Sequence, residues 1–223
     1  MKRILCSLAV IALITSCNNA PNADKATTGE KETAAILDGT NFVIDTTTST
    51  VTWQGTKPTG AHIGTFKLKD GTLAQKEGVL TSGNFTINIA SLNNLDLAGD
   101  TANKPKLEGH LKSADFFDAA KYPTATFSIT AVEPFKYDSA TMKNVILKNA
   151  THTIRGNLTL KDSTKNIAFP AVINITNNKI TADADFNIDR TIWGLNYKGP
   201  NNPADWFIRK EVNIKLKISA TKK

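Results

Sequence analysis

The chain has 223 residues, 40% of them hydrophobic and 21% charged, and carries a net charge of +7. That length holds one domain with its own core, and two cysteines exclude a scaffold built on disulfides. The basic residues are scattered over polar strand positions such as Lys67, Lys69, Lys215 and Lys217, without clusters interleaved with exposed aromatics, which excludes a nucleic-acid-binding surface.

In chain order, Lys2 and Arg3 precede an apolar run from Ile4 to Ile14. The run is shorter than the ~20 residues of a membrane-spanning helix and reads as a secretory leader. Ile14-Thr15-Ser16-Cys17 has the form of a lipobox. Residues 1–16 are therefore expected to be a lipoprotein signal peptide, with Cys17 the lipidated first residue of the mature chain. An ordinary signal peptide or an uncleaved anchor is the alternative. Cys6 would be lost with the leader, leaving no partner for an internal disulfide, and loss of Lys2 and Arg3 takes the net charge from +7 to +5. Residues 17–39, rich in Asn, Ala, Thr, Lys and Glu without apolar period, predict a flexible tether. No acidic cluster follows Cys17, which favours a periplasm-facing place at the membrane of a bacterial envelope.

From residue 40 to 221 the chain alternates with the period of half-buried strands. Val51 and Trp53 share a phase, as do Phe66 and Leu68; then come Phe85, Ile87 and Ile89. Later phases run Ile154, Leu158, Leu160; Ile167 to Ile175; Ile180 to Ile188; and Val212 to Ile218. Turns are expected at Lys69-Asp70-Gly71, Lys76-Glu77-Gly78, Lys161-Asp162-Ser163 and Asn177-Asn178. Between the strands, Leu107, Leu111 and Ala114 lie at helical spacing with His110 beside them, and Lys121-Tyr122-Pro123 stops that helix. Ala125, Phe127 and Ile129 then resume the strand period. The fold class expected is all-β: an antiparallel barrel of about eight strands, plugged or capped by one short helix, with an interior for one small ligand.

Four segments carry a family resemblance: Val51-Thr52-Trp53-Gln54-Gly55-Thr56-Lys57 with Gly60, His62 and Gly64; the helix-to-strand stretch from Gly109 to Phe127; Gly156-Asn157-Leu158-Thr159-Leu160 with Thr164-Lys165; and Phe186 to Gly194. In this order they resemble the YceI-like family. The resemblance implies a lipocalin-like barrel of the bacterial envelope that binds polyisoprenoids or other long-chain lipids. The stretch from Tyr197 to Pro203 departs from the family pattern and looks like a remodelled loop.

Polar residues in the apolar phase supply the candidate site. Arg190 continues the even-numbered series from Ile180 to Ile188, so a continued strand aims it inward. A buried arginine is costly unless paired or bonded. One reading pairs it with Asp189, Asp185 or another carboxylate; the other gives its planar fork to the carboxylate or phosphate of a ligand head. His62 shares phase with Phe66, and His152 with Ile154 and Leu158; each is either a satisfied strand-end histidine or a headgroup contact. Trp53 and Trp193 are expected to line or close the tunnel, with Phe66, Phe127 and Phe186 along its wall. Ala182, Ala184 and Gly156 stand at inward positions where small side chains leave room, unless Trp53, Trp193 or Phe127 fills it.

No nucleophile elbow, phosphate loop, dinucleotide signature or zinc-binding histidine pair appears, so no catalytic or metal residue is nominated, no cofactor is called for, and the chain reads as non-enzymatic. The function expected is a membrane-anchored carrier of an isoprenoid or fatty-acid-type lipid. Its rivals are a filled-barrel stress or interaction scaffold binding through Leu92–Lys106 or Lys198–Asp205, and electron transfer through a bound quinone. Assembly as a homodimer is left open.

Overall fold

A computed structural model describes residues 20–140, 145–199 and 207–223. The leader, Cys17 and residues 200–206 of the departing loop lie outside the described residues.

Among the described residues eleven strands form one sheet: β1 (Asp24–Lys25), β2 (Thr27–Gly29), β3 (Thr40–Ile44), β4 (Thr50–Lys57), β5 (Gly60–Lys76), β6 (Val79–Asn94), β7 (Thr124–Pro134), β8 (His152–Leu160), β9 (Ser163–Ile175), β10 (Lys179–Asp189) and β11 (Glu211–Lys222). Helix α1 (Asn103–Lys112) separates β6 from β7. Eight of the strands, β4 through β11, run antiparallel to their neighbours, and β11 pairs back onto β4 to close a barrel. One wall position is shared, because β3 takes the place of β4 beside the far halves of β5 and β11.

The alternation places the core as the strand period requires. Phe85, Ile87 and Ile89, Phe127 and Ile129, and Ile180, Phe186 and Ile188 are all buried. Tight turns occur where expected at Glu77-Gly78, with φ of 54° and 81°, and at Lys161, with φ of 54°. Lys69-Asp70-Gly71 is not a turn. β5 passes straight through it, with a register shift between Leu68 and Asp70, so a bulge absorbs the local break.

The tether expectation fails for residues 24–36. β1 pairs parallel with β10 and β2 antiparallel with β9. The Glu32 N–H donates to Asn157 Oδ1 at 3.0 Å, and the Ala35 N–H to the Ile129 carbonyl at 2.9 Å. Backbone pairing needs no apolar side chains, so a polar segment satisfies a sheet edge that its composition does not announce.

Helix α1 caps one end of the barrel. Glu108 accepts from the Asn94 N–H at 2.7 Å and the Lys104 ammonium donates to Asn93 at 2.9 Å, fastening the helix to the end of β6. We call this end the mouth; the β5–β6 and β9–β10 turns mark the far end.

Candidate functional site

The barrel encloses a cavity of about 360 Å³. Its deep wall is apolar: Phe66, Phe85, Ile87, Phe127, Leu158 and Phe169 are among its lining. The rings of Phe85, Phe127, Phe169 and Phe186 follow one another around it, with centroid separations of 5.3, 5.9 and 4.0 Å. Val212, Ile214 and Leu216 are only half-buried although they point inward, because they also face this space.

The mouth combines two elements. Leu107, His110 and Leu111 of α1 line it with Phe116 and Phe117 of the following turn, and across from them stand Leu195, Tyr197 and Ile208. The His110 ring meets Phe116 and Tyr197 edge-on, at 5.3 and 4.6 Å between centroids. The helical spacing had already placed Leu107, His110 and Leu111 on the capping helix, whereas Phe116, Phe117, Leu195, Tyr197 and Ile208 escaped sequence reasoning as site residues because they lie outside any periodic element. The Phe116-Phe117 pair beside the helix was the one available signal.

Arg190 lines the cavity, but its environment differs from both expectations. β10 ends at Asp189, and Arg190–Trp193 form a single 3-10 turn. Asp189 caps that turn by accepting from the Thr191 N–H at 3.0 Å, and its other oxygen pairs with Lys210 at 3.2 Å. Burial pushes the Asp189 carboxyl up, yet the bonds from Thr191 and Lys210 outweigh burial and leave it below the ordinary carboxylate range. The guanidinium donates to four backbone carbonyls instead: Arg209 at 3.1 Å through Nε, Leu195 through Nη1, and Tyr197 at 3.1 Å and Ile208 at 2.9 Å through Nη2. Arg190 is thus the pin that gathers the mouth segments. Burial lowers its pKa and nearby Asp189 partly offsets this; an arginine this basic stays cationic at neutral pH.

His62 reaches the rim of the cavity, where its Nδ1 lies 2.8 Å from Asp96 Oδ2. Burial pushes the Asp96 carboxyl up, but bonds from the Ile63 N–H, His62 and Asn94 outweigh it and hold it below the usual range. Trp53 lines the cavity, its indole packed over Gly64 of β5; a Cβ there would come within 2.4 Å of the ring, so only glycine admits it.

Other expected site residues lie elsewhere. His152 stands at the start of β8, the far end of the barrel, away from the cavity lining, bonded through Nδ1 to Thr151 Oγ1 at 2.8 Å. Trp193 is fully buried and donates from Nε1 to the Leu158 carbonyl at 2.9 Å; it is a core residue and does not line the cavity. Ala182 and Ala184 are also outside the lining, because β10 reaches the cavity only from Phe186 onward. The room beside Gly156 is taken by Phe127, whose ring would lie 2.2 Å from a Cβ at that position. Trp53, His62, Phe66, Phe127, Phe186 and Arg190 are the expected residues that the fold brings together.

Residues 42–220 match the model of the YceI-like domain. The chain is 43% identical over 72 residues to Protein YceI of Escherichia coli O157:H7, spanning 31% of this chain and 34% of that protein. It is 37% identical over 110 residues to a UPF0312 protein of Enterobacter sp. strain 638, spanning 48% and 46%. These matches thus span between a third and half of the curated relatives' length. The fold resembles Burkholderia cenocepacia BcnA, with a TM-score of 0.59, 23% identity and coverage of 80% of this chain and 99% of that one. It also resembles a polyisoprenoid-binding domain from Saccharophagus degradans, with a TM-score of 0.54, 14% identity and coverage of 82% and 98%. With the closed barrel, the helix at its mouth and a match across nearly the whole folded region, the chain belongs to the YceI-like domain family.

Proposed function

We propose that this protein binds a long-chain amphipathic lipid, isoprenoid-like or fatty-acid-like, with its tail in the barrel and its polar end at the mouth. The observation that carries the reading is the cavity of about 360 Å³, walled by apolar and aromatic side chains and polar only at one end. Its size falls in the range of small-molecule sites, whereas a scaffold barrel fills its interior with its own side chains. Burial of roughly 300 Å² of tail would contribute about 7 kcal/mol, less the cost of association, with no catalytic group required. The fold neighbour named as a polyisoprenoid-binding domain supports the same class of ligand. Arg190 serves this site by shaping its mouth, since its bonds go to the loop carbonyls; His62 and Trp53 supply the polar end of the wall.

The protein acts as a carrier or store rather than an enzyme, held to a bacterial envelope membrane through Cys17 and facing the periplasm. Native mass spectrometry and lipid extraction of protein purified from its own host test the ligand; a co-purifying long-chain lipid is expected. A barrel that arrives empty and takes up no added prenyl alcohol or fatty acid would overturn the reading. Metabolic labelling with a palmitate analogue tests the anchor, and loss of label in Cys17→Ser is the expected result.

A further inference from the structure

One seam of the barrel is not closed by barrel strands. β10 and β11 pair along their whole length, from Lys179–Thr221 to Asp189–Glu211. β9 and β10 pair only near the far end, from Ile175–Ile180 to Val172–Asp183. Beyond that point they part, and Pro170, which has no N–H to donate, stands two residues past the last pair. The parting extends from Ala184 to the end of β10 at Asp189, about 20 Å at the rise of a strand.

The N-terminal segment fills it. Asp24 and Lys25 pair with Phe186 and Asn187, while Thr27, Thr28 and Gly29 pair with Ala168, Ile167 and Asn166. Between them Ala26 donates its N–H to the Asn187 carbonyl at 2.9 Å, with its methyl group in the core. Both lips of the seam belong to the cavity wall: Ile167 and Phe169 on β9, Phe186 and Ile188 on β10, with Phe169 and Phe186 stacked across it at 4.0 Å. This strap precedes the family domain, which begins at residue 42.

The strap is held mainly by polar bonds. Asp24 accepts from the Ile146 and Leu147 N–H groups at 2.8 Å each, and Asn157 exchanges two bonds with the Glu32 backbone. From Asp24 to Gly29 it contributes one apolar side chain of its own, Ala26, to the core, so the strap itself has little apolar area to lose on lifting. Water can satisfy the strand edges it leaves. Lifting it bares the stacked Phe169 and Phe186 rings, and parting these two side chains opens a slit into the cavity.

We infer that the β9–β10 seam is a lateral entrance to the cavity for a long apolar chain, and that the segment Asp24–Gly29 is its gate. The inference rests on the lipid-binding reading above and adds where the ligand enters. A slit in the wall lets a chain pass sideways along its length, with no need to thread the mouth beneath α1. Asp24 lies seven positions after Cys17, a reach of ~25 Å when extended. A lipidated Cys17 would therefore hold this seam, more than any other, close to the bilayer.

The test locks the gate. Lys25 and Asn187 are register partners, so K25C/N187C, in a full-length chain also carrying C6S and C17S, gives a disulfide spanning β1 and β10. Uptake of parinaric acid, a fluorescent C18 fatty acid, from phosphatidylcholine vesicles is followed by stopped flow. The oxidised protein is expected to take up the probe at least tenfold more slowly than the reduced protein and to reach the same final occupancy. Equal rates in the two forms would overturn the lateral entrance and leave the carrier reading standing; no uptake by the reduced form, or by wild type, would overturn both. If the double variant folds poorly, amide exchange in the wild-type chain decides the matter. Ala26 must open at least as fast as the probe enters, and slower opening overturns the gate.

Discussion

Filling the cavity separates a ligand site from a mere packing defect. Ala125 on β7 is buried, lines the cavity and pairs across the sheet with Ile87. Ala125→Leu adds three carbons to a space the protein leaves unfilled. At about 0.8 kcal/mol per buried methylene, a side chain that fits should gain roughly 2 kcal/mol. For a domain of this size that raises the melting temperature by about 4–8 °C. The same three carbons occupy volume the lipid tail needs, so affinity for a C18 fatty acid should fall at least tenfold. Differential scanning calorimetry of delipidated protein and titration calorimetry with the fatty acid read the two effects on one variant. Stability and binding should move in opposite directions. A loss of 1–3 kcal/mol, the usual cost of overpacking, would mean that the space is not free and that the argument from cavity volume is wrong.

Arg190→Met should strip the donors from the carbonyls of Leu195, Tyr197, Ile208 and Arg209, at a cost of about 3 kcal/mol. Urea unfolding gives the cost, and amide exchange should rise first in residues 195–198; unchanged stability with a loss confined to headgroup-bearing lipids would return Arg190 to direct ligand contact. Stability should fall with acid in two stages. Burial lowers the His152 pKa below 6.5, so as pH drops below 6.5 the unfolded chain takes up the proton first and the fold weakens. Asp96 and Asp189 sit below the ordinary 3.8, so their stabilisation is complete above that value and is lost as pH falls through their folded values. Urea midpoints across pH 3–8 check this, and His152→Gln should remove the upper stage alone.

The strand period, the inward phases and most hairpin turns were legible in the residues, because a side chain's face on a strand depends only on its neighbours two positions away. The helix at the mouth and the lining roles of Trp53, Phe66, Phe127 and Phe186 followed from the same local rule, with the family resemblance supplying the kind of ligand. Three things did not follow. Arg190 extends the apolar phase on paper, but the turn capped by Asp189 takes it off the strand, and its four acceptors come from a loop up to 19 residues away. His152 keeps an inward phase, yet its height along the barrel puts it at the far end, and Trp193 leaves the strand on the same turn as Arg190 and packs in solid core. Phase gives a face and never a depth.

The N-terminal strap shows the limit most plainly. Asp24 to Gly29 has the composition of a linker, and nothing in it encodes a partner. Its order comes from backbone on β9 and β10 that those strands do not pair with each other, edges that exist only where the two part beyond Val172 and Asp183. The sequence by itself determined which side chains face inward; the tertiary structure decided where the wall has a gap and what closes it, because backbone hydrogen bonds join residues more than 130 positions apart without regard to side chain.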